Sequence, residues 1–310
     1  MTNLLSSILL ISLFLALGLS AELMVRNIKY LAKVLKVRLF AFGLILGVIT
    51  TLPEISIGLT AIKDGAGGIP VGNLFGDFII MLSFILGISL ILNRKIRTEG
   101  DWKLVLPQVA IMLLPLAFGF DGHFSRLEGV VMLAAYFSLI FYIFQAHRAA
   151  EPIKLSLIDR GKAARAIMFS IIGVIAIILL SGWIVDISLE MMKHWQVSRL
   201  LVGLLIFAVG TNLPELAVAF SSWRRRTSEL SLSHLLSSAF SSVMVFGLLS
   251  LVKPISFLTG PSYLVIGLSL VVILSLFLWF YLSGRKLDRR EGIVLMACYF
   301  LFLIASLLVA

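Results

Sequence analysis

The run length of the apolar residues constrains this chain more than any other feature. Ten segments stay apolar long enough to matter: about 3–25, 39–62, 71–92, 103–120, 128–146, 165–186, 199–222, 231–252, 261–283 and 291–309. A helix crosses the ~30 Å hydrocarbon layer in about 20 residues at ~1.5 Å rise each. The strands of a membrane barrel would be shorter and would alternate apolar with polar positions, so a β-barrel is excluded. The reading is an all-α membrane protein with ten transmembrane helices. Composition agrees, because 60% of the 310 residues are hydrophobic and 14% charged, too little polar surface for a soluble chain of this size. The first run has no basic residue before Arg26 and no small-x-small cleavage site after it, so it reads as a first helix and not a signal peptide. The single cysteine, Cys298, falls inside the last run, so no disulfide framework exists.

A formal charge of +10 would suit a nucleic-acid partner if the charges formed a patch. They do not. Of the 26 basic residues, 21 follow helices 1, 3, 5, 7 and 9, as in Arg26–Arg38, Arg94–Lys103, Arg148–Arg165, Arg224–Arg226 and Arg285–Arg290. The other side keeps Lys63, Arg126, Lys193, Arg199 and Lys253. Basic loops stay in the cytoplasm, so both termini are expected outside and the odd-to-even loops inside. The charge is a topology signal, and no nucleic acid is expected as a partner. The stretch Arg26–Arg38 is basic and partly apolar, which suits an amphipathic segment on an anionic leaflet.

The chain also repeats itself. Thr50-Thr51-Leu52-Pro53-Glu54 falls on Thr211-Asn212-Leu213-Pro214-Glu215 at an offset of 161, which places Arg38 on Arg199 and Asp77 on Ser238. Glu128-Gly129-Val130-Val131 falls on Glu291-Gly292-Ile293-Val294 at 163, and Gly18 on Gly182 at 164. The expected division is a first five-helix repeat over 1–146, a cytoplasmic linker over 147–164 and a second repeat over 165–310. Five is odd, so the two repeats enter the membrane from opposite sides. Inverted repeats of this kind are the architecture of secondary transporters, whose sites lie near the midplane at interrupted helices in equivalent places.

Both interruptions are visible. A proline inside a helix removes a backbone hydrogen bond and frees carbonyls one turn back, and at membrane depth those carbonyls need partners. Beside each proline sits a carboxylate, Glu54 or Glu215. An ionisable side chain costs at least ~2.5–3.5 kcal/mol at a helix centre in the bilayer, so a functional partner is the default expectation. Thr50, Thr51, Thr211 and Asn212 stand just before the breaks. Hard oxygens of this kind suit Ca²⁺, Na⁺ or a proton rather than a soft transition metal. The plain alternative for one Pro-Glu is a kink whose glutamate snorkels or pairs with a basic residue; two in equivalent positions argue for one shared site.

On these residues the chain resembles the cation/calcium exchanger superfamily, which includes sodium/calcium and calcium/proton exchangers. Its hallmark is two repeats, each with a Gly-Thr-Ser-Leu-Pro-Glu-like break and a downstream Gly-Asn-x-x-Gly-Ser-Asn-like helix. Ala208-Val209-Gly210-Thr211-Asn212-Leu213-Pro214-Glu215 matches closely, Ile49-Thr50-Thr51-Leu52-Pro53-Glu54 matches without the glycine, and Gly72-Asn73-Leu74-Phe75-Gly76 opens the downstream motif. The resemblance implies a cation antiporter in a bacterial or archaeal cell membrane. It would carry Ca²⁺ against Na⁺ or H⁺, with no resident cofactor and with lipid and cations as partners. The oligomeric state is left open, a monomer included.

The resemblance also implies a ligand set. Glu54, Glu215, Thr50, Thr51, Thr211 and Asn212 would bind cations, with carbonyls near Gly47 and Ala208, and with Ser238 and Ser242 in the eighth helix. The departures are specific. Asp77 stands where the family has serine, Met81 takes a later asparagine position, and the second half carries Ser233-His234, Ala239 and Ser242 where the family has amides or a carboxylate. Metal ligation is therefore expected from Glu54, Glu215 and Asp77, and His234 is a possible proton-linked group. Asn73 reads as a supporting residue, His123, His147 and His194 as solvated, Glu128 and Glu291 as helix-start carboxylates, and Glu22 and Asp186 as candidates for gating. The rival class is a relative that kept the fold and lost its ion sites. An enzyme has little support, because neither HExxH nor a Gly-rich phosphate loop occurs.

Overall fold

The computed structural model describes residues 2–34, 51–98, 101–146, 160–195, 198–213, 215–216, 219–220, 223, 228–284 and 286–309. The apolar runs become helices: α1 (Thr2–Val34), α2 (Leu52–Lys63), α3 (Gly68–Asn93), α4 (Trp102–Asp121), α5 (Arg126–Ala146), α6 (Arg160–Trp195), α7 (Arg199–Thr211), α8 (Ser228–Val252), α9 (Pro261–Gly284) and α10 (Arg289–Leu308). Among the described residues, eight are long and apolar enough to cross a membrane, and α7 is a shorter apolar helix. Two segments are π-helical, Ile80–Ile85 within α3 and Gly203–Phe207 within α7.

Two elements outrun their expected lengths. Helix α1 continues without a break to Val34, ten residues beyond its apolar span Leu5–Met24, so residues 26–34 of the expected amphipathic segment extend the same helix, and residues 35–38 lie outside the described residues. Helix α6 has 36 residues, ~54 Å of helix, which must tilt or protrude from a bilayer. These two pack along each other more extensively than any other pair of described helices. At their contact, a Cβ on Gly173 would lie 2.9 Å from Met24 Cβ and 3.0 Å from the Ser20 carbonyl oxygen.

The interior belongs to α3 and α8, the two spans with most of their surface covered, while α5, α6, α9 and α10 turn residues such as Phe137, Ile171, Leu268 and Leu301 outward. Small residues let backbones approach where no water drives association. Helix α3 meets α10 at Gly87 and Gly292, and α8 meets α5 at Gly247 and Gly129; a Cβ on any of the four would come 2.9 Å from the facing glycine's carbonyl oxygen. Gly129 and Gly292 are 163 residues apart and Gly87 and Gly247 are 160 apart, so one contact is the repeat image of the other.

Two short antiparallel ribbons amend the purely helical expectation. Strand β1 (Lys95–Arg97) pairs with β4 (Lys286–Asp288), and β2 (His123–Phe124) with β3 (Ile255–Ser256). Ile96 faces Leu287 and Phe124 faces Ile255, all four buried. Ile255 lies 159 residues after Ile96 and Leu287 lies 163 after Phe124, so the ribbons are also repeat images. Strands of two or three residues carry no readable alternation and form only when loops of different halves meet. His123, expected to be solvated, is half-buried in its ribbon with Nδ1 3.1 Å from Ser256 Oγ.

The helix-start carboxylates behave as expected. Glu128 Oε2 accepts from the Ser125 backbone N–H at 2.7 Å, and Glu291 Oε2 from that of Asp288 at 2.8 Å, the latter within a capping box. Glu22 pairs with Arg26 one turn along α1, and Asp186 is exposed on α6; neither meets the centre of the bundle.

Candidate cation site

The two breaks share one backbone geometry. Pro53 sits in the first turn of α2, where its missing N–H leaves no helical bond unmade. The proline therefore stands at the start of α2. Thr51 precedes it at φ −94°, ψ 6°, and accepts from the Ile55 N–H at 3.0 Å. In the second half Asn212 ends α7 at φ −88°, ψ 6°, and its carbonyl accepts from the Leu216 N–H at 3.1 Å. Both residues lie outside the helical well, near the sparsely used bridge region. At the far end of α2, Lys253 Nζ donates to the Ile62 carbonyl at 3.1 Å and the Arg199 guanidinium to that of Gly65. Cations at that end complement the helix dipole, while its N-terminal end holds Glu54.

The carboxylates beside the breaks are buried, with Glu54 and Glu215 each 7% exposed and Asp77 fully enclosed. Glu54 lies within electrostatic reach of both Asp77 and Glu215. Among the described residues no lysine or arginine pairs with any of the three. Asp77 Oδ1 accepts from Asn212 Nδ2 at 2.6 Å, and its Oδ2 from Ser242 Oγ at 3.5 Å. Glu215 Oε1 accepts from Ser238 Oγ at 3.4 Å. The second oxygens, Glu54 Oε2 and Glu215 Oε2, are buried without a partner among the described residues, and so is Asn212 Oδ1. A buried, unpaired oxygen of this kind is costly unless a cation or proton meets it.

Of the expected site residues, Glu54, Asp77, Glu215, Thr51, Thr211, Asn212, Ala208 and Ser242 are all buried in this region, and Ser238 is half-buried beside Glu215. The single Thr211 hydroxyl proton is shared between the Phe207 carbonyl, 2.9 Å from Oγ1, and Asn73 Oδ1, 3.3 Å away, so Asn73 links α3 to α7. The Ala208 carbonyl accepts twice, from the Asn212 backbone N–H at 3.3 Å and from its Nδ2 at 2.7 Å. Thr50, Gly47 and the side chain of His234 lie outside the described residues. Among the described residues no three His, Cys, Asp or Glu side chains stand close enough to share one metal ion.

Glycines set the approach of the two site-bearing helices. A Cβ on Gly72 would fall 1.9 Å from the Leu200 carbonyl oxygen, and one on Gly203 would fall 2.1 Å from that of Ile69. This backbone contact brings Asn73 to Thr211 and Asp77 to Asn212. The sequence showed Gly72 and Gly76 as part of a motif; their facing residues on α7 had no signal of their own.

The family model described as sodium/calcium exchanger protein matches residues 5–145 and 165–308. The sodium/calcium exchanger MaX1 of Methanosarcina acetivorans is 26% identical over 336 residues, covering 92% of this chain and 93% of that protein. The solved sodium-calcium exchanger NCX_Mj superposes with a TM-score of 0.66 at 23% identity, over 97% of this chain and 98% of that one. The H⁺/Ca²⁺ exchanger CAX superposes with a TM-score of 0.73 at 15% identity, over 99% and 86%. The fold is thus the multi-spanning, inverted-repeat fold of these exchangers, with about ten helices in all. Its match across both halves makes this integral membrane chain a member of the sodium/calcium exchanger protein family.

Proposed function

We propose that the chain is a secondary-active antiporter that exchanges calcium for sodium or protons by alternating access. The observation that carries this reading is the pair of unpartnered, buried oxygens, Glu54 Oε2 and Glu215 Oε2, each beside an equivalent helix break. Glu54, Glu215 and Asp77 supply the charge; Thr50, Thr51, Thr211, Ser238, Ser242 and the carbonyls at Gly47 and Ala208 supply neutral oxygens. A calcium ion takes 6–8 oxygens, so the carboxylates need these neighbours. The relatives bear on the counter-ion from two sides, since MaX1 is a sodium/calcium exchanger and CAX an H⁺/Ca²⁺ exchanger. In this reading α1 and α6, which pack chiefly on each other, move against the remaining helices, both termini lie outside, and residues 147–164 link the repeats in the cytoplasm.

The test is gradient-driven uptake of radioactive calcium into proteoliposomes. Uptake under an imposed sodium or pH gradient is expected, and none with either gradient, from well-reconstituted protein, sinks the calcium version. A second reading, a non-transporting relative with a degenerate site, is favoured by one observation: among the described residues no three carboxylates stand close enough to share one ion. That reading gains if Glu54→Gln and Glu215→Gln leave cation-dependent thermal stability unchanged.

A further inference from the structure

Asn212 is 2% exposed and stands between the two carriers of the site, α3 and α7. Both amide protons are engaged, one on Asp77 Oδ1 at 2.6 Å and one on the Ala208 carbonyl at 2.7 Å. Its Oδ1 is buried and unpartnered. These N···O distances are close to the about 2.3–2.6 Å at which calcium binds oxygen. The amide nitrogen therefore lies about where an ion shared by Asp77 and the Ala208 carbonyl would sit. The repeat makes the arrangement one-sided: the equivalent of Asn212 is Thr51, a hydroxyl with no amide, and the equivalent of Asp77 is Ser238, which has no charge.

We infer that the Asn212 side-chain amide is a built-in stand-in for a cation, filling a subsite between Asp77 and Ala208. The inference rests on the reading of this region as a cation site. Asn212 then competes with the cargo for Asp77 and does not ligate it. A charge-assisted hydrogen bond is stronger than a neutral one, so the ion-free state is held with Asp77 turned toward α7. Calcium gains Asp77 as a ligand only by displacing the amide. This explains why no three of the described carboxylates meet around one point. It makes Asn212 a positioning residue that lowers affinity for the cargo.

The experiment is a calcium titration of the purified full chain, read as thermal stabilisation, for the wild type, Asn212→Thr, Asp77→Ser and the double variant. Threonine is chosen because Thr51 already occupies the same backbone conformation, φ −94° against −88°. Losing a hydrogen bond to a charged group is expected to tighten apparent calcium affinity about tenfold. In the Asp77→Ser background the same change is expected to alter affinity by less than about twofold, the limit for uncoupled sites. In the wild type, the side-chain ¹⁵N–H₂ resonances of Asn212 are expected to shift when calcium saturates the protein. A chain that no cation stabilises sinks the cation-site reading and this inference with it. Calcium stabilisation of the wild type, with Asn212→Thr equal or weaker in affinity or with unmoved amide resonances, overturns the stand-in alone and makes Asn212 a ligand or a scaffold residue.

Discussion

Glu54 and Glu215 each bury one oxygen that no described protein group satisfies, an arrangement that costs stability in the absence of a cation. Neutralising either one removes a charge that the fold must otherwise accommodate. In Glu54→Gln and Glu215→Gln the melting temperature without cations is therefore expected to hold or rise, while the increase caused by calcium is lost. Calorimetry or dye-based melting with and without calcium checks this. A lower cation-free melting temperature with the calcium shift intact would put the glutamates in the scaffold. Glu54 and Glu215 were legible in the sequence, because a carboxylate beside a proline in an apolar run has few uses, and Asp77 was legible as a carboxylate where the resembling family has serine. The partners of Asp77 were not. Asn212 precedes Leu213 and Pro214 in the break, and nothing in that string says its amide crosses to another helix.

The elements that hold the site are α3 and α7, and their crossing leaves no room for a side chain at Gly72 or Gly203. Gly72→Ala and Gly203→Ala are expected to separate the helices and destabilise the protein by at least ~2 kcal/mol, the range of overpacking in a tight interface. Gly182→Ala on α6 is the control, since a Cβ there meets nothing within 4 Å. Detergent-solubilised melting of the three variants checks the contrast. A smaller effect belongs to helix α10. Asp288 caps it through the Arg290 and Glu291 N–H groups, and Asp288→Ala is expected to cost ~1 kcal/mol. Equal melting of Gly72→Ala and Gly182→Ala would show that α3 and α7 can slide apart at little cost.

At the scale of the molecule, the repeat recurs in three independent contacts: the break geometry at Thr51 and Asn212, the glycine pairs, and the two ribbons. Each ribbon joins loops of opposite halves. An inverted pair places one ribbon on each side of the membrane. The proposed orientation puts Leu258, 90% exposed in the loop after α8, outside, and exposed Lys286 inside. In a Cys298→Ser background, Leu258→Cys is expected to react with a membrane-impermeant maleimide in intact cells, and Lys286→Cys only after permeabilisation. The reverse pattern would invert the topology.

The sequence by itself determined the number and kind of spans, the duplication and the two carboxylates at its breaks. Those follow from local rules: run length against bilayer thickness, the fixed chemistry of proline and the cost of charge in hydrocarbon. It also exposed Asp77 as a departure. Only the tertiary structure decided what each polar atom faces. Asn212 meets Asp77 across 135 residues and Ser242 meets it across 165. Such pairings depend on how closely α3 can approach α7, which is set by glycines on both helices at once. The same holds for the ribbons, whose strands have no preference of their own until two halves are folded against each other.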